Sequence, residues 1–182
     1  MNTRHLTQTA LMTAIIILLG LFPPIPVGFI PTPIVMQNLG IILAGILLGG
    51  KRGTTAVVIF LLMAALGLPV LSGGRGGYAL FLGPTGGYLL AYAFTPALIA
   101  FFLKYLNPGH QWWLSYIWVW VIGVGFIDFV GAIGMAVLGH IGLTNALVAS
   151  VVFLPGDTIK AVVAVFLAQQ LQRNHRLAEL MQ

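Results

Sequence analysis

The chain has no cysteine, which excludes disulfides, thiolate catalysis and cysteine-ligated metals. It is nearly as poor in charge. Only 6% of its 182 residues are charged against 59% hydrophobic, and the mean hydropathy is +1.04. Soluble domains run near a quarter charged. A soluble fold of this length would lack the charges to cover its surface, so lipid must be the solvent for much of it. At about 20 residues per spanning helix, six spans with short connections use up the chain. The expectation is one membrane domain over residues 1–182, with no soluble head to carry separate chemistry.

Acids are scarcer still, three Asp+Glu against eight Lys+Arg, for a net charge of +5. In a soluble protein that excess would suggest nucleic acid. Here the basic residues sit singly or in pairs between apolar runs, which suits orientation in a membrane and argues against a nucleic-acid partner. His5, His110, His140 and His175 are dispersed near the ends of the apolar runs with no His, Asp or Glu at ligand spacing, so no metal site is expected. Ser72, Ser115 and Ser150 have no His/Asp constellation in view, which gives a hydrolase little support.

What is present is apolar helix. The runs predict six spans, Leu6–Phe22, Ile34–Gly49, Thr54–Leu68, Gly87–Leu106, Trp112–Leu138 and Leu154–Leu171. The first follows Arg4 and His5 like a secretion signal, but no small-x-small site and polar mature chain come after it, so it reads as a retained span. Spans two and three are short, which membrane proteins tolerate where a segment packs inside the protein or lines a cavity.

The connections fall into two kinds. Arg4, Lys51, Arg52, Lys104, Arg173 and Arg176 all flank one side of such a bundle, while Arg75 and Lys160 belong to the other. The positive-inside rule then puts both termini in the cytoplasm, with the chain in the cytoplasmic membrane. Loops on the opposite side are long, apolar and rich in Pro or Gly. Pro23, Pro24, Pro26, Pro31 and Pro33 forbid helix in the first. The second runs from Pro69 through Gly73-Gly74-Arg75-Gly76-Gly77 to Gly87, and the third from Gly139 to Pro155. Loops made for water would be polar. These are expected to fold back and cap a ligand cavity in the outer end of the bundle, where irregular backbone can be buried in protein.

Asp157 and Lys160 lie three apart at the head of the sixth span, on one helix face. An acid is stabilised in a first turn by the unsatisfied N–H groups and the helix dipole. One interpretation is a capping aspartate with a snorkelling lysine. The other is a polar pair at a cavity mouth, Asp157 accepting from ligand N–H groups and Lys160 donating to an oxygen, since ionisable residues within spans are functional candidates by default. Asp128, well inside the fifth span, stands open between proton relay, cation binding, pairing with a base and packing among glycines. It is expected to matter less for binding than the pair. Arg75 suits a carboxylate or plain solvation equally. The glycine clusters at 73–77 and 83–87 lack the G-x-x-x-x-G-K-[ST] pattern and a βαβ context, so they cradle no nucleotide. Ala10 and Ala14 put two small side chains on one face of the first helix, a pattern that permits close helix–helix approach.

Taken together these motifs resemble the BioY family, the substrate-binding (S) components of energy-coupling-factor biotin transporters. The resemblance rests on Pro33, Gln37, Asn38 and Gly40 leading to Gly45 and Gly49, then Lys51-Arg52-Gly53, Gly67 with Pro69 and Val70, Gly83-Pro84-Thr85-Gly86-Gly87-Tyr88, and Leu154-Pro155-Gly156-Asp157 followed by Lys160. Two departures are Val35-Met36 where the family usually has Thr-Leu before Gln37, and Arg75 in a turn where small or aromatic residues are usual. The resemblance implies biotin as ligand, held by Asp157, Lys160, Gln37, Arg75, Thr85 and the aromatic walls Tyr88 and Tyr78. It implies no catalytic residues and no cofactor. It also implies a transmembrane coupling subunit that meets Ala10 and Ala14, with ATP hydrolysed by separate ATPase subunits. The alternatives are an S component for thiamine or riboflavin and, from other classes, a small channel or an intramembrane enzyme centred on Asp128.

The charge asymmetry makes a direct prediction in a chain free of cysteine. Cysteine at Gly74 or His140 should react with a membrane-impermeant thiol reagent added outside cells, and cysteine at Gly50 should not. The reverse pattern would overturn the orientation.

Overall fold

The computed structural model describes residues 3–26, 28, 32–109 and 111–173, and every regular element among them is a helix. Pro31, His110, His175 and Arg176 lie outside the described residues, as does the Arg173 side chain. Helix α1, Thr3–Gly20, stops just ahead of Pro23 and Pro24, which have no N–H to continue it. Its Thr13 hydroxyl donates to the Thr9 carbonyl and lies 3.1 Å from the Ala56 carbonyl, fastening α1 to the next pair of helices.

Gln37–Ala65 is helical throughout except at Gly49, where φ is 72° and ψ is −177°. Only glycine is at ease in that region. The chain reverses there. Gly53 packs so closely on the Ala44 carbonyl that a Cβ would collide with it, although a straight helix would hold the two about 13 Å apart. Gln37 at one end bonds Val70 and Ser72 beyond the other. The stretch is therefore a hairpin of α2 (37–48) and α3 (50–65). The expected basic loop between spans two and three does not exist. A single left-handed glycine makes the turn, and Lys51 and Arg52 already sit in the first turn of α3.

Helix α4 is Gly86–Leu106 and α5 is Trp112–Leu138, the latter with a π-helical stretch at Val121–Phe126. A Cβ at either Gly87 or Gly134 would run into the other's backbone, so only glycine lets α4 and α5 cross this closely. The third outer loop, expected to be irregular from Gly139 to Pro155, contains a helix, α6 (Leu143–Val151). Its Ala146 and Ala149 pack with Phe153 on Ala132 and Met135 of α5. That spacing is helical but too short to stand out in sequence. Helix α7, Leu154–Arg173, follows at 52° to α6.

The stretches Gln37–Ala65, Gly86–Leu106 and Trp112–Leu138 are each apolar and long enough to cross a membrane, and the bent pair α6–α7 makes a fourth. Because Gln37–Ala65 doubles back, α1, α2, α3, α4, α5 and α7 form a six-helix bundle. Its core holds Ile16, Ile41, Ile42, Phe60, Ile99 and Ile127. At one end, Arg52 donates to Gln8 Oε1 at 2.8 Å and meets His5 Nδ1 at 3.0 Å, while Gly49, Lys104 and Gln169 border one hollow. The start of α1, the α2–α3 turn and the ends of α4 and α7 thus share that end, and Arg75 lies at the other.

Gly49→Ala should destabilise the protein by about 1–3 kcal/mol, the cost of holding a side chain in that region. Gly50→Ala, whose nearest Cβ neighbours would be 3.5 Å away, should cost much less. Thermal unfolding in detergent compares them, and equal effects would show that the turn does not depend on the Gly49 conformation.

Candidate binding site

The Arg75 end of the bundle holds a cavity, and its walls come from loops and helices alike. Thr32, Pro33, Ile34 and Val35 of the first loop form one side, continued by Gln37 and Asn38 at the start of α2. Leu71, Ser72, Arg75, Leu80 and Thr85 come from the second loop. Tyr88, Leu89 and Tyr92 of α4, Ile127 and Asp128 of α5, and Phe153 and Asp157 at the head of α7 complete it.

Each loop is tied down by its own backbone. Ile25 and Ile34 exchange paired hydrogen bonds of 2.9 Å, and Leu71 and Arg75 exchange a pair at 2.9 and 3.2 Å. Glycines at 67, 73, 74 and 77 take positive φ through the second loop, and the Gly77 N–H reaches the Ala64 carbonyl at the end of α3 at 2.7 Å. Gln37 anchors the assembly. Its amide donates to the Val70 carbonyl at 2.8 Å and lies 3.4 Å from the Ile16 carbonyl, while its Oε1 accepts from the Ser72 N–H at 2.9 Å. Gln37 borders the cavity, but this amide is engaged in holding α1, α2 and the second loop together.

Asp157 and Lys160 are brought together as their spacing suggests. Lys160 Nζ lies 2.6 Å from Asp157 Oδ1 and donates to the Val35 carbonyl at 2.6 Å. Both side chains are buried, so this lysine does not snorkel to a membrane surface. Asp157 reaches the cavity wall and Lys160 braces it from behind, joining the first loop to α7. The first turn of α7 is held from the other side by Trp120, whose Nε1 donates to Thr158 Oγ1 at 2.9 Å.

The remaining expected residues divide. Tyr88 is in the wall, its ring edge-on to Phe153 with centroids 6.0 Å apart. Thr85 borders the cavity with its hydroxyl donating to the Leu80 carbonyl at 2.9 Å, and Arg75 does so with Nε on the Ser72 carbonyl at 3.1 Å. Tyr78 is placed elsewhere. It opens the short 3-10 turn Tyr78–Leu80, is largely exposed, and borders an apolar groove with Phe81 and Leu82, while Leu80 turns inward. Ala10 and Ala14 lie on the exposed face of α1. Among the described residues no three His, Cys, Asp or Glu side chains gather as a metal site.

Thr32, Asn38, Tyr92, Phe153 and Asp128 join the wall without having been assigned to it. Asn38 was legible in principle, as a second amide beside Gln37 in an apolar run. Thr32 and Phe153 reach the cavity only through the path of their loops, which no periodicity encodes.

The model of the BioY family matches residues 1–176. The chain belongs to the BioY family. It is 52% identical to the biotin transporter BioY of Lactococcus lactis subsp. cremoris, over 95% of this chain and 93% of that one. It is 43% identical to the biotin transporter BioY of Rhizobium etli, over 97% of each. Among solved structures it superposes on the S-component for biotin from an ECF-type ABC transporter with a TM-score of 0.91, at 50% identity over 94% of this chain and 92% of that one. In this BioY-family chain apolar walls, the acid at the helix head and the loops above them together line one cavity.

Proposed function

We propose that this chain binds biotin in the outer cavity and serves in its uptake as the S component of an energy-coupling-factor transporter. The observation that carries the reading is Asp157, aimed at the cavity from the head of α7 and held there by Lys160. Full-length similarity to proteins named as biotin transporters adds to it. The chain is a transport component and not an enzyme, and nothing among its relatives favours thiamine, riboflavin or a channel.

Biotin carries a cyclic urea fused to a thiolane, with a valerate tail. Ureido N–H groups suit the carboxylate of Asp157. Lys160 does not line the cavity; in this reading it acts by holding the Asp157 carboxylate toward the ligand. Tyr88 and Phe153 offer apolar surface to the thiolane ring. Arg75 and Thr85, which line the cavity from the second loop, suit the tail, a carboxylate being a natural partner for a guanidinium. The basic end of the bundle would face the cytoplasm, where the positive-inside rule places it.

The exposed small face of α1 at Ala10 and Ala14 is the surface proposed to meet a transmembrane coupling subunit, through which separate ATPase subunits would drive release. Small residues let helix backbones approach in lipid, where packing rather than hydrophobicity drives association.

Biotin titrated calorimetrically into ligand-stripped protein tests the site. Removing a charged partner from a buried hydrogen bond costs roughly 1.5–3 kcal/mol, so Asp157→Ala and Lys160→Ala should each bind about ten- to a hundredfold more weakly or worse. Near-native affinity in both folded variants would remove the pair from the site. The docking surface is tested separately. Ala10→Trp or Ala14→Trp should leave biotin affinity intact and reduce copurification with the coupling subunit. Assembly at wild-type yield in both would exclude this face.

A further inference from the structure

Asp157 is not the only acid at the cavity. Asp128 borders it from α5 at 3% exposure, and neither of its carboxyl oxygens has a hydrogen-bond partner. Asn38, also 3% exposed, borders it from the first turn of α2, with its Oδ1 equally unpartnered. Native interiors leave few such atoms, because a desolvated acceptor with no donor is costly and a charged one more so. Three of them at one cavity are poorly explained as packing. Thr32 Oγ1 and Tyr88 Oη, equally unpartnered in the same lining, are hydroxyls that can also donate, whereas an ionised Asp128 can only accept.

The backbone around Asp128 is shaped to the same end. The π-helical stretch Val121–Phe126 ends just before Ile127, and π-turns inside α-helices recur at functional sites. One turn beyond, Gly131 lies so close under the Tyr88 ring that any side chain there would displace it. Removing that obstacle lets α5 sit against α4, with Asp128 and Tyr88 in one wall.

We propose that Asp128, with Asn38 lining the same cavity, is a second acceptor station that takes one N–H of the bound cyclic urea while Asp157 takes the other. The inference rests on the biotin reading and deepens it. A cyclic urea presents two N–H donors on either side of one carbonyl, and two carboxylates on different helices match that pair. Specificity would then come from both sides of the ureido ring, since an analogue missing either donor leaves a buried acceptor empty.

The test compares biotin with its two analogues methylated at one or the other ureido nitrogen, titrated into ligand-stripped wild-type protein, Asp128→Ala and Asp157→Ala. Asp128→Ala should bind biotin about ten- to a hundredfold more weakly than wild type. For one of the two methylated analogues it should match wild type within about twofold, the scatter of independent changes, because that analogue lacks the donor. Asp157→Ala should show the same signature with the other analogue. Unchanged biotin affinity in Asp128→Ala would overturn the proposal. So would an equal loss for biotin and both analogues, which marks an indirect structural effect. If Asp128→Ala does not fold, Asp128→Leu, close in size and without an acceptor, carries the identical comparison. Wild-type protein that binds no biotin would overturn the underlying reading as well, whereas normal wild-type binding with an indifferent Asp128→Ala would overturn this inference alone.

Discussion

Irregular backbone within a membrane protein has no water to bond with, so every turn placed there must find its partners inside the protein. The cavity end of this bundle is organised around that constraint. Gln37 supplies donor and acceptor to the Val70 carbonyl and the Ser72 N–H. Lys160 supplies a donor to the Val35 carbonyl. Two isolated bridges, Ile25 with Ile34 and Leu71 with Arg75, close the loops on themselves. The cavity exists because these few bonds hold the loops over the helix ends without filling the space beneath.

The buried ion pair has to be understood in that setting. Taking Asp157 and Lys160 out of water is costly, and a buried pair seldom adds net stability over apolar packing. What it provides here is position. A lysine shared between the α7 aspartate and the first-loop carbonyl makes the loop and the carboxylate at the cavity one unit. The unpartnered acceptors of Asp128 and Asn38 are the complementary case, polar groups left without any internal partner at the same cavity.

The two ends of the molecule are built on different chemistry. Basic residues collect where α1 begins, where α2 turns into α3 and where α4 ends, with Arg52 engaged by His5 and Gln8. Among the described residues the other end has no charge beyond Arg75, Lys160 and the buried acids. Between them the helices approach through glycine and alanine, at Gly53 against Ala44 and Gly87 against Gly134. In lipid such contacts stand in for the hydrophobic driving force that is missing between helices.

By itself the sequence determined the membrane class, the helical bundle, the sidedness of charge, the pairing of Asp157 with Lys160 and the family. All of these depend on composition or on spacing along one element, and local periodicity carries that information. Only the tertiary structure decided that spans two and three meet at one residue, because a reversal at Gly49 looks like any other glycine in an apolar run. It decided that the third loop contains α6, whose nine residues are too few for a clear pattern. It placed Tyr78 outside and Leu80 inside through the 3-10 turn between them. It also brought Asp128 and Asn38 to one cavity, from α5 and α2 across ninety positions of chain. Which residues converge on a cavity is a property of how helices cross, and crossings are set by side-chain packing between elements far apart in sequence.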